Sequence, residues 1–331
     1  MYEGKSVAVV VPCYNEQGQV TQVLRTMPDY VDCVIVVDDC STDGTAAEGE
    51  AFCEAEGPDG RTVLLRQERN SGVGAAIARG YKEAVARGMD VTAVMAGDGQ
   101  MDPKQLRLLV APVAAGEADY AKANRLYYRK AWEVIPRKRY LGNAFLSMLT
   151  KIASGYWHVA DSQTGYTAIS REALETIDLD RLYPRYGYPN DLLVRLNVYD
   201  FRVADVPLRP VYNVGEQSKM RLWKVIPRMS CLIFRRFLWR MWRKYVIHDF
   251  HPLVLFYLGG MFLGAVGLGL FVRLLVVLIL TGDLGRYPIN TIAWAFCAIS
   301  SVQFFLFAMW FDMERNRHLR VGPRGRRYGG S

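Results

Sequence analysis

Cysteine and histidine are scarce in this sequence. The chain of 331 residues has 6 cysteines and 4 histidines, and the cysteines are scattered without a CxxC pair or a Cys/His cluster. The sequence therefore predicts neither a disulfide scaffold nor a Cys/His metal site, and we interpret the cysteines as reduced cytosolic thiols. The opening segment, MYEGKSVAVVVP, also lacks the basic region, apolar core and cleavage site of a signal peptide.

Two common phosphate-binding fingerprints are missing as well. The segment ERNSGVGAAIARG contains small residues from Gly72 onward, but it lacks the GKS/T ending of a P-loop and does not match GxGxxG. A Rossmann dinucleotide site is therefore not supported. The small residues still allow a backbone or a ligand to approach closely.

Acidic residues become rare after residue 212. Residues 213–331 contain 17 Lys and Arg but only 5 Asp and Glu. Residues 1–212 contain 24 Lys and Arg and 28 Asp and Glu. The hydrophobic content of 51% excludes a disordered chain. The uneven charge indicates that the two parts of the chain lie in different environments.

Long apolar runs are confined to the carboxyl-terminal third. Residues 253–280 and 289–311 are two nearly uninterrupted runs, and each exceeds the roughly 20 residues that cross a bilayer as a helix. They predict a transmembrane hairpin over residues 252–313. Basic segments flank both ends, so the positive-inside rule places the amino-terminal region and both termini in the cytosol, and we expect the membrane to be the plasma (inner) membrane.

The segment before the hairpin mixes Trp and Phe with Lys and Arg at helical spacing over residues 222–245. This pattern predicts basic amphipathic helices on anionic membrane lipids. Nucleic acid is the rival partner for such charge, and we predict none because the segment is aromatic and adjoins the spans. The run GGMFLGAVGLG predicts a homo-oligomer through the hairpin. We thus divide the chain into residues 1–215, interface helices 216–251, the hairpin 252–313 and a basic tail 314–331.

The first 212 residues alternate strand and helix patterns. Predicted strands cover 6–12, 33–39, 62–67, 91–98 and 118–124, so we expect an α/β domain with a mostly parallel sheet. Ligands bind such sheets at the carboxyl ends of the strands. Polar residues follow three of these strands and define a candidate site.

After the first strand, PCYNE leads into a predicted helix whose first turn contains Glu16, with Asn15 as a possible N-cap. After the second strand, DDCSTDGT offers an adjacent acid pair. One carboxylate could accept hydrogen bonds from a base or ribose, or Ser41 and Asp43 could simply cap the next helix.

The fourth predicted strand ends in MAGDGQMDP. Asp98 and Gln100 present two hard oxygen ligands in a glycine-flanked loop, the kind of site that Mg²⁺ or Mn²⁺ shares with phosphates. Asp102 before Pro103 has a simpler interpretation, because this pair is typical of a helix N-cap followed by proline.

In order and spacing, VVPCYNE, VVDDCSTDGT, the NSGVGAA loop and DGQMDP resemble family 2 glycosyltransferases with a GT-A fold. With the hairpin, the chain resembles in particular the polyprenyl-phosphate glycosyltransferases, such as dolichol-phosphate mannose synthase and undecaprenyl-phosphate glucosyltransferases. The resemblance implies an inverting, metal-dependent transfer of one sugar from a nucleotide sugar to a polyprenyl phosphate. It leaves the donor open, and we prefer a UDP-sugar over GDP-mannose.

The resemblance also implies roles for individual residues. The nucleoside would be held by Pro12, Tyr14 and Glu16, with Val37 and Asp39 beside the base and ribose. Asp98 and Gln100 would ligate Mg²⁺ or Mn²⁺. Phosphates would be met by Arg125, by Arg139 on the lipid side and by Lys219 in a closing loop. Two departures from the family pattern are Ala96, where an acid is usual, and Asn213, where many relatives carry an arginine.

The acceptor phosphate is already anionic, so positioning between arginines could replace a strong base. Asp161 in DSQTGYTAIS is the candidate nearest the attacking oxygen, as base or orienter, with a structural turn acid as the alternative. Asp191 is weaker, because an acid at a helix N-terminus has a sufficient structural reason. The alternative functions are a processive polysaccharide synthase of the same superfamily and a catalytically silent membrane scaffold.

Overall fold

A computed structural model describes residues 1–57, 60–126, 137–209, 222–282 and 287–322, with the side chains of 137–140 and 222–225 excepted. The chain forms two compact units. Unit 1 comprises Met1–Arg240 and His318–Ser331, and unit 2 comprises Met241–Arg317.

Unit 1 is built on a sheet that has eight strands in the described part of the chain. The strands are β1 (Val7–Cys13), β2 (Cys33–Asp38), β3 (Thr62–Arg66), β4 (Val91–Val94), β5 (Tyr120–Asn124), β6 (Thr167–Ser170), β7 (Val203–Pro207) and β8 (Arg320–Val321). Their spatial order is β3-β2-β1-β4-β6-β5-β7-β8. All neighbours are parallel except β6, which is antiparallel to both β4 and β5. The predicted α/β fold with a mostly parallel sheet is confirmed.

Helices cover both faces of this sheet, and two clusters of buried apolar residues fill the layers between. The helices of unit 1 are α1 (Val20–Arg25), α2 (Thr45–Glu56), α3 (Val73–Ala86), α4 (Leu106–Ala114), α5 (Arg137–Ser154), α6 (Arg171–Thr176), α7 (Tyr188–Val198) and α8 (Leu222–Trp242), whose last two residues belong to unit 2. Every residue of β1 and β2 is buried, as expected for strands that are covered on both faces.

Helix α3 lies especially close to the sheet. A Cβ atom on Gly80 would come within 2.3 Å of Val10 Cγ1 in β1, so only glycine fits there without displacing the strand. This contact fixes the height of α3, whose first turn adjoins the carboxyl ends of β1 and β2.

Two predicted boundaries are wrong. The helix after β1 begins at Val20 and does not include Glu16, because Asn15 and Gly18 have positive φ angles of 54° and 80°, which an α-helix does not allow. Asn15 Oδ1 instead accepts a hydrogen bond from the Thr42 backbone N–H at 2.8 Å. Strand β4 ends at Val94, so Asp98 lies in the loop beyond the strand.

The interpretation of Asp102 as an N-cap is confirmed. Its Oδ1 accepts a hydrogen bond from the Lys104 backbone N–H at 3.0 Å, and Pro103 is the first residue of the short helix Pro103–Gln105. The carboxylate therefore stabilises a helix start, as its position before a proline predicts.

Unit 2 contains α9 (Leu253–Thr281) and α10 (Pro288–Arg315). Within the described ranges, these are the two helices that are long and apolar enough to cross a membrane. In the most apolar 18-residue stretch of each helix, only 11% and 17% of the residues are buried. The two helices pack at small residues: the Ser301 hydroxyl donates to Gly260 O at 2.8 Å, and a Cβ on Gly267 would lie 3.4 Å from Cys297 Cβ. The glycines of the predicted oligomer stripe therefore contact α10 of the same chain, and oligomerisation stays a prediction.

The chain re-enters unit 1 after α10. Strand β8 pairs with β7 through Val203↔Arg320 and Ala204↔Val321. Leu319 and Val321 are buried in the two apolar clusters of unit 1. Both ends of the α9–α10 segment are consequently joined to the same compact unit.

Candidate active site

A cavity of about 380 Å³ lies at the carboxyl ends of β1, β2 and β4 in unit 1, and we call it the main cavity because it contains the acids predicted from the sequence. Residues that follow β1, β2 and β4 line it, together with the first turn of α3. It brings together five residues predicted from the sequence, namely Pro12, Tyr14, Glu16, Asp39 and Asp98. Val37 is fully buried within β2 and does not line the cavity.

Asp39 organises the loop before α3. One carboxylate oxygen accepts hydrogen bonds from the Ser71 N–H at 2.8 Å and Gln67 Nε2 at 3.0 Å, and the other accepts from the Gly72 N–H at 2.8 Å. Gly72 has a φ of 98°, and a Cβ there would lie 2.5 Å from Pro184 O. This loop can therefore close one wall of the cavity only with glycine at that position.

Glu16 and Asp98 form the acidic part of the cavity. The pKa of Glu16 is raised to about 8, first by burial and then by the charge of Asp98. Burial also raises the pKa of Asp98. A Cβ on Gly97 would lie 2.4 Å from Glu16 Oε2, so the glycine lets this carboxylate approach the β4 loop. Two carboxylates held together in a buried site favour a bound cation.

The residues around Asp98 fit a divalent metal. Glu16 Oε2 is buried and accepts no N–H or O–H hydrogen bond from the described residues. Those residues contain no cluster of three or more His, Cys, Asp or Glu at metal-binding distance. One or two carboxylates with substrate phosphates and water are the usual ligands of Mg²⁺, and the Asp98 site matches that pattern.

Gln100 lies apart from this acidic pair. Its backbone N–H donates to Asp98 Oδ1 at 3.0 Å, but the residue lines a second cavity of about 60 Å³. Arg125 and Arg209 also line this second cavity. The structure thus joins Gln100 to Asp98 through the backbone and places it in the cavity that contains Arg125.

Arg125 is held by Asp161. Arg125 Nε donates to Asp161 Oδ2 at 2.7 Å and Nη2 donates to Oδ1 at 3.1 Å. Asp161 is fully buried. Its burial alone would raise the pKa of the carboxyl, but the charge and hydrogen bonds of Arg125 lower it below the ordinary value. A permanently ionised carboxylate that is already bonded suits an orienter better than a general base.

The segment that contains Asp161 is braced from several sides. Lys122 on β5 is fully buried and its ammonium donates to Thr164 O; burial lowers its pKa to about 7. The Ser162 N–H donates to Ser147 Oγ on α5 at 3.1 Å, and Gln163 Nε2 donates to Asn190 Oδ1 on α7 at 3.0 Å. The position of Asp161 therefore depends on three different elements.

Four other predicted positions have different outcomes. Arg139 lies in the first turn of α5, and its side chain is outside the described residues; Lys219 and Asn213 lie outside them altogether. Asp191 is fully buried and accepts hydrogen bonds from Arg195 and Arg236. Its ion pairs with Arg195 on the same helix and with Arg236 on α8 give Asp191 a structural role.

Asn70, Arg185 and Tyr186 also line the main cavity, and sequence reasoning missed them. Arg185 and Tyr186 belong to the segment before α7, far along the chain from the motifs. The glycines of the loop before α3 indicated that another segment packs closely there. Gly72 leaves room for the backbone of Pro184, and Gly74 leaves room for the backbone of Tyr183. Small residues in one segment cannot indicate which distant segment fills the space.

Known proteins share this architecture. Residues 8–178 match the family described as Glycosyl transferase family 2. The UDP-N-acetylglucosamine–dolichyl-phosphate N-acetylglucosaminyltransferase of Methanococcus voltae is 26% identical over 219 residues, covering 63% of this chain and 87% of that protein. The undecaprenyl-phosphate mannosyltransferase of Micrococcus luteus is 30% identical over 217 residues, covering 65% and 87%.

A solved structure shows the same fold. Glucosyl-3-phosphoglycerate synthase from Mycobacterium tuberculosis, in complex with Mn²⁺, UDP and glucosyl-3-phosphoglycerate, superimposes with a TM-score of 0.52 at 21% identity. The match covers 72% of this chain and 80% of that one. Together with the family match, it confirms the predicted GT-A fold.

Proposed function

Because the chain belongs to glycosyl transferase family 2, we propose that it transfers one sugar, with inversion, from a nucleotide sugar to a polyprenyl phosphate. The two relatives support this acceptor, since their names specify dolichyl phosphate and undecaprenyl phosphate. The observation that carries the proposal is the position of Asp98 in a cavity at the carboxyl edge of the sheet, with the Arg125–Asp161 pair two strands away.

The nucleotide sugar occupies the main cavity. Its volume of about 380 Å³ is within the range of small-molecule sites. Pro12, Tyr14 and Glu16 hold the nucleoside, and Asp39 contacts the ribose or base while it anchors the glycine loop. Val37 is buried in the apolar cluster that also contains Ala76 of the cavity wall. The preferred donor is a UDP-sugar, with GDP-mannose as the alternative.

Asp98 and Gln100 would hold a divalent cation, Mg²⁺ or Mn²⁺. When bound, the cation stabilises the negative charge that develops on the leaving diphosphate. Arg185 supplies a protein cation at the same cavity, and Lys219 adds a second one. The chain itself binds the diphosphate through these side chains and orients it away from water.

The acceptor phosphate meets Arg125 and Arg139. Asp161 acts as the orienter of Arg125, because both of its oxygens are bonded and its pKa is low. A phosphate monoester needs no strong base to become a nucleophile at neutral pH, so positioning supplies much of the rate. One phosphate oxygen forms the bond to the anomeric carbon as the bond to the diphosphate breaks on the opposite side.

The enzyme acts at the cytosolic face of the plasma (inner) membrane. Helices α9 and α10 form the transmembrane hairpin, and the basic segments on either side contact anionic lipids. The chain leaves unit 1 before α9 and returns to it through β8, and in this proposal the catalytic domain and both termini are cytosolic. This proposal also includes a homo-oligomer that forms through the hairpin. It divides the chain into residues 1–215, 216–251, 252–313 and 314–331.

A transfer assay tests the function. Purified protein is incubated with undecaprenyl phosphate, Mg²⁺ or Mn²⁺ and a panel of UDP- and GDP-sugars, and the lipid product is identified by mass spectrometry. We expect a lipid-linked monosaccharide from one donor and none after chelation. A polymer would indicate a processive synthase, and no product from a folded protein that binds nucleotide would indicate a scaffold.

A further inference from the structure

Helix α5 presents three large apolar side chains outward. Leu141, Phe145 and Met148 are spaced so that they share one face of the helix, and they are 62%, 45% and 52% exposed. Residues 141–154 of this helix are described with their side chains, so the face can be assigned directly. A helix on a water-soluble domain normally turns such a stripe toward the core.

The opposite face of α5 is buried and combines three hydroxyl side chains with the apolar Leu146 and Ala153. Ser147, Thr150 and Ser154 are each at most 2% exposed. Thr150 Oγ1 donates to Asn190 Oδ1 on α7 at 3.0 Å, and Ser147 Oγ lies 3.2 Å from Ser162 Oγ. The buried face of this helix therefore contains hydroxyl groups that contact protein, while three large apolar side chains of the same helix are exposed.

The neighbouring helix α8 also exposes apolar side chains. Arg240 Nη2 of α8 donates to Ile152 O of α5 at 3.0 Å, which fixes the two helices side by side within unit 1. On α8, Phe234 and Leu238 are 54% and 41% exposed, with exposed Arg228 and Arg235 among them. Apolar side chains interspersed with cations are typical of helices that lie at a lipid surface.

Basic residues also precede the stripe of α5. Positions 137–139 are Arg, Lys and Arg, directly before Leu141 in the sequence. A cationic segment followed by an outward apolar face matches an anionic headgroup layer above hydrocarbon. A second copy of the chain fits less well, because three side chains supply only a small part of the roughly 800 Å² per partner that a stable interface buries.

We propose that the outward stripe of α5, defined as Leu141, Phe145 and Met148, is a second membrane-contact surface of unit 1, inserted in the hydrocarbon of a bilayer with anionic lipid. This surface lies outside the segment 216–251 that the sequence predicts as the interface, and the inference rests on the proposed membrane location. The same helix contacts Ser162, next to Asp161, with its other face. Helix α5 therefore contacts lipid with one face and the segment that contains Asp161 with the other.

Site-specific photo-crosslinking tests this surface in the full chain. The photoreactive residue p-benzoylphenylalanine replaces Phe145 or, separately, Met148, and the protein is reconstituted in vesicles of phosphatidylethanolamine and phosphatidylglycerol. The matched control is Leu108 on α4, an apolar residue of unit 1 that is 45% exposed. The positive control is Leu268 on α9, which is 64% exposed. Each variant is first checked for an unchanged unfolding temperature.

We expect phospholipid adducts by mass spectrometry at positions 145, 148 and 268 and only background at 108. Adducts at 268 together with background at 145 and 148 would overturn the proposed surface while leaving the membrane location intact. Crosslinked dimers at 145 and 148 would overturn it in favour of a second copy. Background at 268 as well would overturn the membrane location and this inference with it.

Discussion

Both carboxylate oxygens of Asp161 accept hydrogen bonds from the Arg125 guanidinium, Oδ2 from Nε at 2.7 Å and Oδ1 from Nη2 at 3.1 Å. The two residues are 36 positions apart in the chain, and Asp161 is fully buried while the Arg125 side chain is 25% exposed. The buried Asp161 carboxylate therefore fixes the orientation of the Arg125 guanidinium. This fixed guanidinium, which lines the smaller cavity, is the group that we expect to meet a phosphate.

Replacing Asp161 by Asn should lower kcat about 100-fold, the order of loss for one positioned charge-stabilising group. The pKa of Asp161 is lowered, so the wild-type carboxylate stays ionised above about pH 5. The Asp161 charge also raises the pKa of Lys122, which is about 7, so the ratio of wild-type to variant rate should change between about pH 6 and about pH 8. Steady-state transfer kinetics at several pH values measure this ratio.

The matched control for this change is Asp119→Asn. Asp119 binds Arg202 with the same two-point geometry, at 2.9 and 3.1 Å, near the opposite end of β5. The Asp119→Asn substitution should lower the stability of unit 1 and leave kcat nearly unchanged. Equal losses of activity in both variants would contradict the role of Asp161 as an orienter.

Replacing Asp98 by Asn should lower transfer by about 1,000-fold, because the neutral amide weakens metal binding at the diphosphate. The protein should remain folded and bound to membranes. Asp90→Asn is the control: Asp90 lies just before the other end of β4 and accepts hydrogen bonds from the Ser6 N–H at 2.9 Å and Oγ at 3.0 Å. Retained activity in the Asp98 variant would remove this residue from the metal site.

Replacing Arg185 by Ala should raise the KM of the nucleotide sugar about tenfold and leave the KM of the lipid unchanged, since Arg185 lines the main cavity and its loss removes one charged hydrogen bond. Arg181→Ala is the control, because the Arg181 side chain is 83% exposed and pairs with Asp178. Both constants come from one kinetic experiment with each substrate varied in turn. A selective rise in the lipid KM would count against the assignment of Arg185 to the donor.

Replacing Gly80 by Ala should destabilise unit 1 by about 1–3 kcal/mol through overpacking. The added methyl group would meet Val10 Cγ1 at 2.3 Å and so push α3 away from β1. Gly49→Ala on α2 is the control, since its methyl group would lie 3.3 Å from the flexible Leu64 side chain. Thermal unfolding in detergent should show a lower midpoint for the Gly80 variant alone.

His158 should make unit 1 less stable in acid. Its Nε2 lies 2.9 Å from Val203 O, and burial lowers the pKa of the ring from 6.5 to about 4. A base with a depressed folded pKa contributes stability that is present above about pH 6.5 and is lost as the pH falls through about 4. His158→Gln should therefore weaken the pH dependence of the unfolding midpoint in that window, and an unchanged slope would contradict this.

Features that depend on neighbouring residues were predictable from the sequence. The apolar runs of β1, β2, β3 and β5 identified strands close to their observed bounds, and the Asp102–Pro103 pair identified a helix start. The motif order predicted that Pro12, Glu16, Asp39 and Asp98 lie together, because parallel strands end at one edge of a sheet. Positive φ angles at Asn15 and Gly18 shifted the start of α1, which periodicity does not reveal.

The sequence alone determined the α/β class, the carboxyl-edge acids and the two apolar helices, because each depends on side-chain periodicity or backbone preference over a few residues. Tertiary structure decided the insertion of β6, the Asp161–Arg125 pair, the contribution of Arg185 to the cavity and the outward apolar stripe of α5. These features join segments far apart in the chain. Their geometry is selected by how the whole domain packs its layers and satisfies buried polar groups, which is a property of the folded chain as a unit.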